Sequence, residues 1–145
     1  MGIKNYTSGV DAYVSLGEIQ AALARAGALQ IMVDYDNGEP QAVSFGMMGP
    51  HGKIGFKLPA PVEGTMQAFA RQKIKADKEQ ATRTAWRNVR DWVLAQTALM
   101  ESCTVDAAQC FLPYMVDRSG TTLYEAYSSG QLMLGNGEEV DDGDK

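Results

Sequence analysis

The chain has a single histidine, His51, and only two cysteines, Cys103 and Cys110, in 145 residues. A zinc site built from Cys and His ligands needs four such donors, so none is expected. A Ser-His-Asp or Cys-His mechanism would have to use His51, which stands in Gly49-Pro50-His51-Gly52 with no nucleophile context around it, and reads as a turn histidine. The cysteines sit seven apart in a stretch read as helix, where about 10 Å of rise separates them, so a disulfide between them is excluded. Neither G-x-x-x-x-G-K-[ST] nor a G-x-G-x-x-G after a strand occurs. No run approaches the roughly 18 to 20 apolar residues of a membrane span, and the start, Met1-Gly2-Ile3-Lys4-Asn5-Tyr6, lacks the apolar segment of a signal peptide. A cytoplasmic, non-enzymatic protein without a cofactor or membrane partner is the expectation.

With 45% hydrophobic and 21% charged residues, the chain is one ordinary domain with one core. Of the net charge of -5, four units lie in the last eight residues, where Glu138, Glu139, Asp141, Asp142 and Asp144 face only Lys145. Residues 135–145 read as a disordered acidic tail and 1–134 as the domain. Seven of the 13 bases fall between Arg71 and Arg90, against Asp77 and Glu79.

The patterning predicts an α+β fold of β-α-β-β-β order, followed by a long helix and short C-terminal helices. A strand over Ile3 to Thr7 precedes a helix over Leu16 to Ala26, with Ser15 as N-cap, Glu18 as its capping-box partner, Val14 stapled to Ile19, and Gly27 as the C-terminal stop. Ile31, Val33 and Tyr35 alternate, as do Val43, Phe45 and Met47, with Asn37-Gly38 between them as a hairpin signal. Ile54, Phe56 and Leu58 then share one face of a third strand, and Lys53 and Lys57 the other. Pro59 and Pro61 end the sheet, Val62 to Lys73 is helical, and one helix of roughly 30 residues runs from Asp77 to Ala108, long enough to pack partly on another subunit. Phe111-Leu112-Pro113-Tyr114-Met115 is an apolar plug, and Thr122 with Glu125 forms a capping box on a last helix.

Two constellations and one lysine carry candidate chemistry. Arg83, Arg87 and Arg90 at i, i+4 and i+7 share a helix stripe with Trp86 and Asn88 nearby. The stripe is either a solvated face paired to Glu79 and Asp91 or an anion site, in which guanidinium grips phosphate and tryptophan stacks on a base. Trp86 and Trp92 also suit a core or a subunit interface. Arg118-Ser119-Gly120-Thr121-Thr122 at a helix start offers backbone amides to an anion, or is a plain capped turn. Lys57, within Phe56-Lys57-Leu58, faces away from the core. Asp34, Asp36 and Glu39 flank a hairpin and read as turn residues.

The words Lys4-Asn5-Tyr6-Thr7, Ile31-Met32-Val33-Asp34-Tyr35-Asp36, Ala42-Val43-Ser44-Phe45, Phe56-Lys57-Leu58-Pro59, Ala85-Trp86-Arg87-Asn88-Val89-Arg90-Asp91-Trp92-Val93, Phe111-Leu112-Pro113-Tyr114 and Thr122-Leu123-Tyr124-Glu125 occur in that order. Together they resemble small phage-encoded proteins of the Thoeris anti-defence 1 family, over nearly the whole chain except the acidic tail. The resemblance implies a non-catalytic sponge in the cytoplasm of an infected bacterial host. Such a sponge sequesters cyclic ADP-ribose isomers made by Thoeris TIR-domain proteins and, in some members, cyclic di- or trinucleotides of CBASS defence. It also implies a homo-oligomer, a dimer or a hexamer built from dimers. On this view Phe56, Lys57, Arg83, Trp86, Arg87, Asn88 and Arg90 hold cyclic ADP-ribose, and Arg118, Gly120, Thr121 and Thr122 from three copies hold a cyclic trinucleotide. The rival expectation is an accessory protein that binds single-stranded nucleic acid through Arg71 to Arg90 with Trp86 stacking, which the near-neutral body disfavours.

Overall fold

The computed structural model describes residues 2–102 and 105–130; the expected acidic tail and Cys103 lie outside the described residues. The described part is α+β: a three-stranded antiparallel sheet, then a long helix and short C-terminal helices. Among the described residues no helix is long and apolar enough to cross a membrane.

Helix α1 spans Ala12–Arg25 and buries Ala12, Leu16, Ile19 and Leu23, the stripe its spacing dictates. Its start differs from expectation. Asp11 is the N-cap and accepts from the Tyr13 amide at 2.8 Å, adding about a turn. Ser15 is completely buried, and its Oγ accepts from Arg87 Nη1 at 3.3 Å. Val14 is exposed, so no staple forms. Partners on a distant helix claimed Ser15 and Glu18, and Asp11 took the vacant role. The stop is as read: Gly27 adopts φ 109, which an L residue rarely tolerates, and lets the Ala28 amide reach the Leu23 carbonyl.

Strands β1 (Gln30–Asp36), β2 (Glu39–Gly49) and β3 (Gly52–Pro59) form a meander in the order β1-β2-β3. Asn37 and Gly38 both have positive φ, the turn whose twist matches its flanking strands. The inner face carries Val43, Phe45, Met47, Phe56 and Leu58, all buried. A register shift between Asp34 and Tyr35 turns Tyr35 off this face, leaving it 55% exposed. Residues 3–7 form no strand. They make tight turns, with Asn5 at φ 64, and their carbonyls are taken by side chains of the long helix that follows the sheet: Lys4 by Asn88 Nδ2, Asn5 by Thr84 Oγ1, and Tyr6 by Gln80 Nε2. The edge of β3 is met instead by the segment after the plug, where Met115 bridges Phe56 and the Val116 amide donates to the Gly55 carbonyl at 2.9 Å.

After α2 (Val62–Arg71), helix α3 runs over Lys78–Glu101, 24 residues, with Asp77 capping the Gln80 amide. It is shorter than expected because Asp106 and Gln109 form a capping box that starts a separate helix, α4 (Ala107–Phe111). A 3-10 turn over Leu112–Tyr114 leads to α5 (Leu123–Ser128), capped by Thr122 and Glu125 as the sequence predicts. Helices α1 and α3 pack together over the inner face, sharing one core with Val43, Phe45, Phe56 and Leu58.

Phe111 closes this core. Its ring meets Phe45 edge-on at 5.3 Å, Phe56 at 5.8 Å and Trp92 at 5.4 Å. Replacement of Phe111 by alanine should therefore cost about 3 to 5 kcal/mol of folding stability, read from the denaturant midpoint.

Candidate functional site

The helices cover one face of the meander, and the opposite face borders a groove of about 780 Å³. Strand alternation brings Gln30, Met32 and Asp34 of β1, Ser44 and Gly46 of β2, and Lys53, Gly55 and Lys57 of β3 to it. Register sets these out in rows. Gln30, Gly46 and Gly55 are cross-strand neighbours, so two of three positions in that row carry no side chain of their own, and side chains from neighbouring positions pack over this glycine floor. The next row is Met32, Ser44 and Lys57. Lys53 lies across the floor: a Cβ added to Gly46 would sit 2.7 Å from its Cε and 3.7 Å from its Nζ. Val116 bounds the other side, 3.1 Å from where a Gly55 Cβ would be. Asp34 is held in place by Ser44, whose Oγ donates to Asp34 Oδ2 at 2.9 Å.

Two exposed lysines and one fixed carboxylate around a glycine floor suit a ligand that is anionic in one part and polar in another. The volume lies within the range of small-molecule sites. Of the residues expected to bind, the groove brings together Lys57 and Gly120, with Phe56 adjoining. Phe56 is a correction: it is 1% exposed and its ring stacks on Phe45 at 5.1 Å, so its side chain belongs to the core. Gly46, Gly55 and Lys53 were not among the expected site residues. The i, i+2, i+4 spacing of Lys53, Gly55 and Lys57 hints at them, but the glycine pair across strands emerges only from register.

The helix stripe is structural in most of its members. Trp86 is completely buried, so its face cannot meet a base, and this also removes the stacking element of the nucleic-acid reading. Arg87 Nη1 and Arg90 Nε both bind Glu18 Oε1 on α1, at 3.0 and 2.6 Å. The expected pairs Glu79–Arg83 and Asp91–Arg87 do not form: Glu18 on α1 takes Arg87 instead, and Asp91 binds Arg90. Hydrogen bonding to Arg90 above all, and the charge of Arg87, hold the Glu18 carboxyl below its ordinary range. Arg90 also binds Asp91 at 2.9 Å, which in turn meets Lys4 Nζ at 3.1 Å and Asn5 Nδ2 at 3.0 Å. Burial pushes the Asp91 carboxyl up, but the bonds from Asn5, Arg90 and Lys4 outweigh it and bring the carboxyl down to about 2. Asn88 binds Asn5 and the Lys4 carbonyl. Arg83 donates from Nη2 to Gln80 Oε1 at 2.6 Å, while its Nε is buried with no partner and the residue borders a separate depression of about 430 Å³ beside Tyr13 and Lys78.

The turn at Arg118 differs in kind from the expected anion cradle. Asp117 Oδ1 already accepts from the amides of Ser119 (2.9 Å) and Thr121 (3.0 Å) and from Ser119 Oγ (2.7 Å). These bonds, the Ser119 hydroxyl first, lower the Asp117 carboxyl. The Gly120 amide is taken by the Asp117 carbonyl and the Thr122 amide by Glu125 Oε1. A residue of this chain fills the place of the anion, and Arg118 remains an exposed side chain beside it.

Two predictions separate structural from ligand roles. Replacing both Arg87 and Arg90 by alanine frees α1 from α3 and should lower stability by about 1 kcal/mol in urea unfolding, the scale of partly exposed ion pairs. The Asp91 carboxyl lies lower in the folded chain than its free value of about 4, so its ionised form stabilises the fold above that pH and the contribution is lost as pH falls toward 2. Acid unfolding of Asp91→Asn should lack this loss between about pH 4 and 2. Compared with family models, curated proteins and solved structures, the chain matches none.

Proposed function

We propose that this protein captures cyclic nucleotide immune signals, cyclic ADP-ribose isomers first and cyclic di- or trinucleotides as further ligands, and holds them intact as a sponge. The observation that carries the reading is the groove on the outer sheet face, with Lys53 and Lys57 over the Gly46–Gly55 floor. Ammonium groups supply charge-assisted bonds to a pyrophosphate, and the glycine pair, with only the flexible Lys53 stem and Val116 over it, leaves room for a purine or ribose near the sheet. The likeness of its sequence words to the Thoeris anti-defence 1 proteins agrees with this, and in line with it we take the protein to be a cytoplasmic homo-oligomer, a dimer or a hexamer of dimers.

The test is to incubate the purified protein with cyclic ADP-ribose isomers and cyclic di- and trinucleotides, remove free ligand, heat-denature, and identify by chromatography what is released. Intact ligand from the native protein, with at least a tenfold loss of affinity in Lys53→Ala/Lys57→Ala, is the expected result. Release of a cleaved product would make the protein an enzyme. Retention of no ligand, or unchanged capture by the double variant, would overturn the groove as the site.

A further inference from the structure

A groove built only to hold phosphate has no use for a carboxylate, since Asp34 repels the charge that Lys53 and Lys57 attract. Yet Asp34 is there, half-buried and fixed by design of the sheet: Ser44 Oγ donates to its Oδ2 at 2.9 Å, which leaves Oδ1 and its lone pairs to accept from something else. The chemistry that satisfies such an acceptor beside two ammonium groups is a hydroxyl carried on the same molecule as a phosphate. The phosphodiester or doubly esterified pyrophosphate linkage of a cyclic nucleotide carries no O–H donor at neutral pH, whereas a ribose offers one or two. Acidic side chains hold ribose hydroxyls in this way in dinucleotide sites.

The spacing agrees. Asp34 stands on β1 and Ser44 on β2, and Ser44 is the cross-strand neighbour of Lys57 on β3. Asp34 itself pairs with Ala42, two residues along from the Met32–Ser44–Lys57 row, so two strand intervals of about 4.8 Å and a rise of about 6.6 Å place Asp34 about 12 Å from Lys57 at the backbone, a span that a sugar and its attached phosphates bridge once the side chains lean inward. We infer that Asp34 reads a free ribose hydroxyl of the ligand, with Ser44 as a positioning residue. The ligand class of the groove is thus a ribonucleotide with an unsubstituted hydroxyl near its phosphates, as against a bare polyphosphate. This inference rests on the groove being the nucleotide site.

Titration calorimetry with two probes, cyclic ADP-ribose and trimetaphosphate, a fully ionised polyphosphate without an O–H, tests it. In Asp34→Ala the affinity for cyclic ADP-ribose should fall about tenfold while that for trimetaphosphate holds or rises, because a hydroxyl acceptor and an anion repeller are lost together. Ser44→Ala should shift the same ratio in the same direction by less. Asp34 and Ser44 lie on the outer face, and thermal melts of each variant establish folding independently. Equal changes for both probes, or none, in folded Asp34→Ala would overturn the hydroxyl role. If Lys53→Ala/Lys57→Ala still loses both probes in that case, the groove reading survives without it. Failure of the native protein to bind either probe would overturn both readings.

Discussion

The stacked rings of Phe45 and Phe56, capped edge-on by Phe111, are the contact on which the rest of the structure depends. They commit one face of a three-stranded meander to the core, and α1 and α3 lie over that face. A sheet so small has no second layer, so its other face stays open, and polar and glycine positions alternate onto it by the period of the strand. The groove with Lys53, Lys57 and Asp34 is thus a consequence of one-sided packing. What makes it a concave site, as against a plain solvated face, is the glycine pair in the middle and the Val116 segment at the margin.

The charged residues divide between two tasks. Arg87, Arg90, Asn88 and Asp91 tie α3 to α1 and to the N-terminal turns, using Glu18, Lys4 and Asn5 as partners. Their bonds are internal, so two of the seven bases between Arg71 and Arg90, Arg87 and Arg90, are spent on holding the fold. The lysines of β3 make no such commitment to the core: both are exposed on the outer face. An exposed lysine can still respond to a ligand, whereas a guanidinium locked onto Glu18 would first have to break bonds of 2.6 to 3.0 Å.

Much of the architecture follows from the order of residues alone. The Asn37-Gly38 hairpin, the Gly27 stop, the Asp77-led long helix, the Thr122–Glu125 cap and the inner faces of β2 and β3 are local matters, settled by backbone preference and by the period of apolar side chains. Lys57's place opposite the core is settled in the same way, because alternation on one strand decides it. The boundaries that went elsewhere did so for nonlocal reasons: Ser15 and Glu18 found partners on α3, Tyr35 was turned by a shift in pairing, and residues 3–7 gave their carbonyls to α3 side chains.

Sequence by itself determined the α+β class, the element order from α1 to the start of α3 and which faces of β2 and β3 are apolar, since each depends on neighbours within about a turn or a strand. Only the tertiary structure decided which charges are free and which are spent. An arginine stripe reads alike whether it meets solvent, a ligand or Glu18, and residues 69 and 72 positions apart on the chain settled that. Register, too, lies beyond a single strand: Gly46 and Gly55 become one floor, and Asp34 and Lys57 the two ends of one site, only when β2 is laid between β1 and β3.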